Sequence, residues 1–421
     1  MIMARAGPRR KVQLDAFPRS LRYNVRGVYT ASRTGPEVPS PMCPSPARTV
    51  VCLLALSAPA LAAPVPKPEE APPVLDGRKI VHLGPDGPRL LIVNCINDDY
   101  NRACYVLDPV AGKVAGGPFD HESFIHRATF SPDGKLVATA SQDKTANVWD
   151  VSTGKSVAGP LTHDDIVRDI SFSPDGKRVA TACNDGTVRI WDAATGRIAI
   201  GPIKHRGVAY HASFSPDGKL LETDSGDDTA MIWDAGTGKE VAGPFRHSRL
   251  VQQLAFSADG KRLVTASEDG TAGVWDVETG KRLAAPLRHG ANVVSAAFSP
   301  DGKRVLTCGM DGAVNVWDAS TGKLVAGPMK HASRICHASF SPDGRRVATG
   351  AGLGEAKVWD AETGKPLLEL TPAEKAPVNH AAFTPDGKRL LTVTMDGAQV
   401  WDIATGKLAG SVAAPKPKDQ K

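Results

Sequence analysis

The 421-residue sequence is poor in aromatic side chains, which make up 5% of it, and it has no Cys-x-x-Cys pair. It also lacks Gly-x-Ser-x-Gly, a phosphate-binding glycine loop and His-Glu-x-x-His. These absences remove the sequence signals of a thiolate zinc site, a serine hydrolase, a nucleotide-binding protein and a zinc protease. The sequence therefore predicts neither an enzyme nor a bound metal or other cofactor.

The net charge of +6 is concentrated at one end of the chain. Residues 1–62 hold nine of the 51 Lys and Arg residues but two of the 45 Asp and Glu residues, so residues 63–421 are close to neutral. A domain that binds duplex nucleic acid normally carries a basic surplus. We therefore expect no nucleic-acid partner.

Residues 48–62 have the order of a secretory signal peptide: Arg48, an apolar run, and Ala60-Leu61-Ala62 before the cleavage point. The run is shorter than the roughly 20 residues that span a bilayer, so we expect no transmembrane segment after cleavage. We interpret 42–62 as the signal peptide, 1–41 as a mis-annotated or disordered extension, and 63–78 as a Pro-rich linker. The expected location is the periplasm or the medium; a cytoplasmic protein with a buried apolar segment is the alternative.

Five cysteines follow the expected cleavage point, at positions 95, 104, 183, 308 and 336. Cys95 and Cys104 flank one loop and are a candidate disulfide pair. An odd number leaves at least one thiol unpaired within a monomer.

The seven tryptophans lie 42 residues apart, and each is followed by Asp. Leu107-Asp108 is a degenerate copy one step earlier. Two further motifs recur with every Trp-Asp. Pro-Asp-Gly precedes it, with Ala258-Asp259-Gly260 as the variant, and Gly-Lys or Gly-Arg follows it. Eight copies therefore run over 79–415, followed by a disordered tail at 416–421.

Each copy contains four short apolar segments separated by turn residues, as residues 124–162 illustrate. This pattern predicts one four-stranded antiparallel sheet per copy, and such a sheet is stable only when neighbours cover both faces. The predicted fold is an all-β propeller of eight blades; seven blades plus an irregular N-terminal extension is the alternative. Gly-Pro in the fourth segment places that strand at the outer edge. Either 407–412 or 72–75 supplies the last outer strand.

These copies resemble the WD-repeat (tryptophan–aspartate repeat) β-propeller family, in its bacterial exported type. The resemblance implies that each blade holds a buried hydrogen-bonded set of His, Thr, Asp and Trp. A buried Asp and His persist only when paired, so these sets are structural rather than catalytic. Leu353 replaces the Asp in the seventh copy, and Ala373 replaces the His in the eighth. Five copies have the whole set: His121, Thr139, Asp143 and Trp149; His163, Thr181, Asp185 and Trp191; His205, Thr223, Asp227 and Trp233; His247, Thr265, Asp269 and Trp275; and His289, Thr307, Asp311 and Trp317.

Three further histidines, His211, His337 and His380, stand three residues before the first-strand Phe of their copies. This position predicts that they lie near the central channel. A metal shared by His337 and His380 is one interpretation, and a packed inter-blade pair is the one we favour.

The segments between the set histidine and the first strand differ from copy to copy, whereas the other turns repeat. A rigid ring with variable loops is typical of a recognition surface. The family resemblance implies a protein or peptide partner on this face. We predict a monomeric, non-catalytic interaction scaffold, with a small-ligand binder or channel enzyme as the alternative. Aromatic, apolar and Arg side chains here are the candidate contacts: Phe124, Arg168, Tyr210, Arg249, Leu250 and Arg334.

Overall fold

The structure, a computed structural model, describes residues 81–83, 90–93, 102–108, 113–333, 335–370, 376–394 and 397–413. The predicted extension, signal peptide, linker and tail lie outside these residues, as do Cys95 and Arg334. The candidate disulfide and the candidate contact at position 334 therefore stay predictions. No helix in the described ranges is long and apolar enough to cross a membrane.

The described residues form eight four-stranded antiparallel sheets that follow one another along the chain, as the repeat predicts. We call each sheet a blade, and within a blade the strands pair in chain order. The strands of blades 1–4 are β1 (Val81–Leu83), β2 (Leu90–Val93), β3 (Ala103–Asp108), β4 (Lys113–Asp120); β5 (Ile125–Phe130), β6 (Leu136–Ser141), β7 (Thr145–Asp150), β8 (Ser156–Thr162); β9 (Val167–Phe172), β10 (Arg178–Cys183), β11 (Thr187–Asp192), β12 (Ile198–Lys204); and β13 (Ala209–Phe214), β14 (Leu220–Ser225), β15 (Thr229–Asp234), β16 (Glu240–Arg246).

Blades 5–8 repeat the same arrangement in the second half of the chain. Their strands are β17 (Val251–Phe256), β18 (Arg262–Ser267), β19 (Thr271–Asp276), β20 (Leu287–Arg288); β21 (Val293–Phe298), β22 (Arg304–Gly309), β23 (Ala313–Asp318), β24 (Leu324–Lys330); β25 (Ile335–Phe340), β26 (Arg346–Ala351), β27 (Ala356–Asp360), β28 (Pro366–Leu370); and β29 (His380–Phe383), β30 (Arg389–Val393), β31 (Gly397–Asp402), β32 (Leu408–Ala413).

The first copy is a complete blade although it has no Trp-Asp. Its buried Leu91 and Phe119 pack in one apolar cluster with Phe130 and Val137 of blade 2. Full burial of such a side chain contributes about 1.5–3 kcal/mol. The eight-blade expectation is therefore confirmed, and the alternative of seven blades with an irregular extension is wrong.

The fourth strand of each blade lies at a sheet edge, as the prolines predict. In blade 3 the ladder joins Val188 to Ile203 and Ile190 to Ile200, so the pairing shifts register around Gly201-Pro202. Proline has no N–H to give to a ladder, and this irregularity accommodates it without a lost bond inside the sheet. In blade 8, β32 supplies the fourth strand, and both of its ends lie one residue later than in the predicted 407–412.

Blade 5 shows what the glycine before that proline does. Gly201 has a φ of +118°, a region that a Cβ makes unfavourable. Blade 5 has Ala285 at this place, and its fourth strand shrinks to the two residues Leu287–Arg288. An isolated bridge between Trp275 and Arg282 is what remains of the first half of that strand.

An arginine at the start of several second strands ties one blade to the next. Arg178 donates hydrogen bonds to the carbonyl oxygens of Gly218, at 2.8 Å, and Ala235, at 2.6 Å, both in blade 4. Its guanidinium also lies 5.2 Å from the ring centre of Phe214, a cation–π distance. These contacts fix adjacent blades at the edge that carries the Pro-Asp-Gly turns.

Candidate functional site

Blade 2 shows how the hydrogen-bonded set is built. Trp149 Nε1 donates to Thr139 Oγ1 at 2.8 Å, and that hydroxyl lies 2.7 Å from His121 Nε2. On the other side of the ring, His121 Nδ1 lies 2.9 Å from Asp143 Oδ2. Because the indole can only donate, the consistent assignment runs Trp to Thr to His to Asp, with the imidazole proton on Nδ1. The set therefore joins the third strand, the second strand, the loop before the blade and its second turn.

The turn aspartate is the negatively charged acceptor at the end of this series of hydrogen bonds. Burial opposes ionisation of Asp143, but hydrogen bonds from His121 and Thr145 outweigh that penalty and hold the pKa of the carboxyl well below its usual range. The same balance lowers the pKa of Asp269 in blade 5 to about 2. Both carboxylates are ionised at neutral pH and already accept hydrogen bonds from their own blades, which makes them poor general acids or bases.

Blades 5 and 6 repeat the bond between histidine and aspartate, at 3.0 Å for His247 and Asp269 and at 3.2 Å for His289 and Asp311. Blade 4 departs from it: His205 bonds Thr223, while Asp227 accepts from Thr229 rather than from the histidine. Thus the resemblance alone does not determine the geometry of every set.

Blade 7 restores the set with a residue that the sequence analysis did not identify. His331 Nδ1 lies 2.9 Å from Glu355 Oε2, so a glutamate two positions along replaces the missing aspartate. Leu353, at the aspartate position, is instead 59% exposed. An acid at the place where blades 2 to 5 have Thr was the signal in the sequence.

Blade 3 has all four residue types, and yet its histidine is not bonded to its aspartate. His163 Nε2 lies 2.9 Å from Thr181 Oγ1, but the buried Nδ1 has no hydrogen-bond partner. Asp185 accepts from Thr187, and its Oδ2 lies 3.9 Å from the Arg189 guanidinium. Blade 3 therefore departs from the expected complete set, because its histidine and its aspartate are not bonded to each other.

A second group of polar residues lies on the first strands of blades 2 to 8, one per blade at equivalent positions. Arg127 and Asp169 form an ion pair at 3.2 Å between blades 2 and 3, and Gln253 Oε1 accepts from the Ala296 N–H of blade 6 at 3.1 Å. His337 and His380 stack with ring centres 3.8 Å apart, and His337 Nδ1 lies 2.8 Å from the Ala381 carbonyl oxygen. The two histidines are therefore packed between blades, as we favoured, and burial lowers the pKa of His337 to about 4.

His211 belongs to a buried acidic cluster. Its Nδ1 lies 2.9 Å from Asp224 Oδ2, and Asp224 is fully buried. Burial, then the charge of Asp224, raises the pKa of the neighbouring Glu222 well above its usual value. Glu222 is 6% exposed, so its carboxyl is closed to a substrate.

Comparison with known proteins identifies the repeat. The WD domain, G-beta repeat family matches residues 117–150, 154–192, 239–276, 281–318 and 322–360. This chain contains WD repeats. Each matched repeat runs from the fourth strand of one blade to the third strand of the next, so the WD repeat is offset from the blade by one strand.

One solved structure has a similar overall fold. The crystal structure of the computationally designed Ika8 protein has a TM-score of 0.66 and 24% identity, and the match covers 79% of this chain and 96% of that chain. At this identity the likeness concerns the fold alone. No curated protein matches the sequence. WD repeats generally mediate protein–protein interaction.

The set histidines and the turn aspartates of the WD repeats lie at one edge of the blades, which we call the loop face. It comprises the segments before the first strands, such as 121–124 and 247–250, and the second turns that bond to them, such as 141–144 and 267–270. The Gln142 N–H donates to the Phe124 carbonyl at 2.7 Å, and the Met310 N–H donates to the Asn292 carbonyl at 2.8 Å. The Pro-Asp-Gly turns form the opposite edge, the turn face.

The five candidate contacts that the structure describes lie at or beside the loop face, and they differ in exposure. Arg249 is exposed, and Leu250 next to it is half-buried. Phe124 is half-buried, with its ring centre 5.2 Å from that of His126. Arg168 and Tyr210 lie on first strands and are half-buried, and Arg168 Nε donates to Asn184 Oδ1 at 2.6 Å. Arg249 is thus the candidate most accessible to a partner.

Two exposed apolar residues of the loop face are not among the candidate contacts selected from the sequence. Met310 in the second turn of blade 6 is 56% exposed, and Leu353 in that of blade 7 is 59% exposed. The equivalent turn positions of blades 2 to 5 carry polar residues or glycine. Large apolar side chains at turn positions were the signal, because a solvated turn does not need them.

Proposed function

We propose that this protein is a monomeric, non-catalytic scaffold that binds a protein partner on its loop face, outside the cytosol. The observation that carries the proposal is the exposure of Met310 and Leu353 in neighbouring blades of that face. Exposed apolar side chains on a rigid surface mark interaction sites. Arg249 adds a side chain of the type that dominates binding hot spots.

The geometry of the sets favours a scaffold over an enzyme. Asp143 and Asp269 are occupied by hydrogen bonds from their own blades, and Asp224 is bonded to His211. The alternative function, a small-ligand binder or an enzyme that uses the central channel, would need accessible convergent groups. Glu222, Asp224 and Asp169 form a convergent group of carboxylates, and all three are buried.

Export rests on the sequence of residues 48–62, which has the order of a signal peptide. N-terminal sequencing of the protein from its source cells tests it. We expect the mature chain to start at Ala63, and a mature chain that keeps the residues before it contradicts export.

Affinity capture from the cell envelope fraction tests the binding face. We expect the double variant Met310→Gln, Leu353→Gln to capture at least about tenfold less partner than the parent chain, and Arg249→Ala to show a smaller decrease. The matched control is Leu367→Gln, because Leu367 is 56% exposed but lies on the outer strand β28. Equal losses in the loop-face variant and the control contradict the proposal. Capture of no partner, together with saturable binding of a metal ion or sugar, favours the alternative function.

A further inference from the structure

The unbonded histidine of blade 3 lies beside a residue that no other blade has at that position. His163 is 7% exposed, and its Nδ1 is buried without a hydrogen-bond partner. In blades 2 and 5 the corresponding nitrogen is bonded to the turn aspartate at 2.9 and 3.0 Å. A buried polar nitrogen without a partner is costly, so its persistence calls for a ligand.

Cys183 occupies the place that Ser141 and Ser267 take in blades 2 and 5. The Ser267 hydroxyl donates to the Arg249 carbonyl at 3.0 Å and accepts from the Asp269 N–H at 3.1 Å. Cys183 Sγ makes the equivalent contacts, at 3.2 Å to the Asp165 carbonyl and 3.5 Å to the Asp185 N–H. The turn therefore needs a small hydrogen-bonding side chain here, and serine already meets that need.

The cysteine also completes a set of possible metal ligands. One ligand atom each from His163, Cys183 and Asp185 lies within 4.8 Å of the other two. Over the part of the chain that the structure describes, this is the one group of three or more His, Cys, Asp or Glu side chains with such spacing.

We propose that His163 Nδ1, Cys183 Sγ and the Asp185 carboxylate bind a thiophilic divalent cation, best matched by Zn²⁺. Zinc takes nitrogen, sulfur and oxygen donors at about 2.0–2.3 Å, so bound ligand atoms lie roughly 3.3–3.8 Å apart. From separations of up to 4.8 Å, the three side chains reach that spacing if their ligand atoms move closer by about 1.5 Å or less. Water or the Asp165 carbonyl is available as the fourth ligand.

The surroundings of His163 suit metal binding through Nδ1. Burial, then the charge of Arg189, lowers the pKa of His163 to about 4, so the imidazole is neutral at pH 7. Thr181 Oγ1 accepts a hydrogen bond from Trp191 Nε1 at 2.8 Å and has the Arg189 carbonyl as an acceptor at 3.4 Å, so its second lone pair can accept a hydrogen bond from His163 Nε2. In that tautomer Nδ1 carries the lone pair, and Thr181 orients the ring as outer partners of metal-bound histidines do.

Two features oppose binding and make it dependent on pH. Cysteine binds a metal as the thiolate, so the cation must displace the Cys183 thiol proton. The Arg189 guanidinium lies 3.9 Å from Asp185 Oδ2 and is a competing cation. Binding should therefore release about one proton per Zn²⁺ at pH 7 and strengthen as the pH rises.

Metal titration of the full chain, first stripped with EDTA, tests the site. We expect one equivalent of Zn²⁺ to bind by calorimetry and Co²⁺ to give a thiolate-to-metal charge-transfer band. Cys183→Ser should abolish the band and weaken Zn²⁺ binding at least about 100-fold, because the thiolate is lost. That variant recreates the serine of blades 2 and 5, so its fold should persist.

Two matched variants sharpen the result. Cys308→Ser changes another buried thiol, in blade 6, and should leave Zn²⁺ binding unchanged. Ser141→Cys gives blade 2 the same three residue types, but His121 Nδ1 is already bonded to Asp143, so no second equivalent should bind. The proposal is overturned if the parent chain binds no Zn²⁺, if Cys183→Ser binds it equally well, or if Ser141→Cys adds a second equal site.

Discussion

Asp143 in blade 2 and Asp185 in blade 3 occupy equivalent positions but have different partners, so replacing each by alanine is a matched comparison. Asp143 accepts hydrogen bonds from His121 Nδ1 at 2.9 Å and from the Glu122 N–H at 3.0 Å, in addition to those from Thr145. Asp185 accepts those of its own turn residue, Thr187. The two substitutions share the loss of the turn bonds. They differ in the bonds from the histidine and from the Glu122 N–H, which Asp143 alone accepts, and in the Arg189 guanidinium, which lies 3.9 Å from Asp185 Oδ2.

The difference in stability follows from that bond. The His121 side chain is fully buried, so without Asp143 its Nδ1–H loses its charged acceptor, and the neutral Thr145 hydroxyl at 3.2 Å is the acceptor that remains. A hydrogen bond to a charged group contributes about 1.5–3 kcal/mol, and the exposed Glu122 N–H is satisfied by water. We therefore expect Asp143→Ala to lower the free energy of unfolding by about 2 kcal/mol more than Asp185→Ala does.

Urea unfolding at pH 7 with EDTA, followed by far-ultraviolet circular dichroism, measures both variants against the parent chain. EDTA is needed because Asp185 is also a proposed metal ligand. Equal shifts of the unfolding midpoint, or a larger shift for Asp185→Ala, would refute the assignment of the histidine bond as the stabilising contact.

Three further predictions concern other blades. Because the pKa of His337 is about 4 in the folded chain and about 6.5 when unfolded, the unfolded state binds the extra proton between these values. Stability should fall by about 3 kcal/mol from pH 7 to pH 4 through this residue, and urea midpoints of His337→Gln should show a shallower pH dependence than the parent. Glu355→Ala should cost about 1–2 kcal/mol in urea unfolding, since His331 loses its partner; an unchanged midpoint would show that Glu355 does not replace the aspartate. Ala285→Gly should lengthen the fourth strand of blade 5, seen as slower amide exchange over 282–285, and unchanged exchange would contradict the conformational argument.

The blade register could be predicted from the sequence because its determinants are local. Trp-Asp, Pro-Asp-Gly and Gly-Lys recur in chain order, and each marks a strand end or a turn of the same sheet. The first blade could be counted for the same reason, since Leu107-Asp108 lies one repeat length before Trp149-Asp150 although the tryptophan is missing. Its packing on blade 2 through Phe119 follows from strand alternation.

The side-chain partners could be predicted less well because they depend on angles that sequence spacing does not encode. His163 and Asp185 have the same spacing as His121 and Asp143, and yet one pair is bonded and the other is not. Glu355 reaches His331 from the residue just before β27, two positions beyond the aspartate position of the turn. The stacking of His337 on His380 needed the arrangement of two adjacent blades.

Hydrogen–deuterium exchange on the full chain, free and bound to a partner purified by capture, tests the central proposal most directly. The account predicts slower exchange on binding in loop-face peptides that contain Arg249, Met310 and Leu353. It predicts unchanged exchange in the Pro-Asp-Gly turns and in β28. Protection confined to the turn face or to the outer strands, with the loop face unchanged, would contradict it.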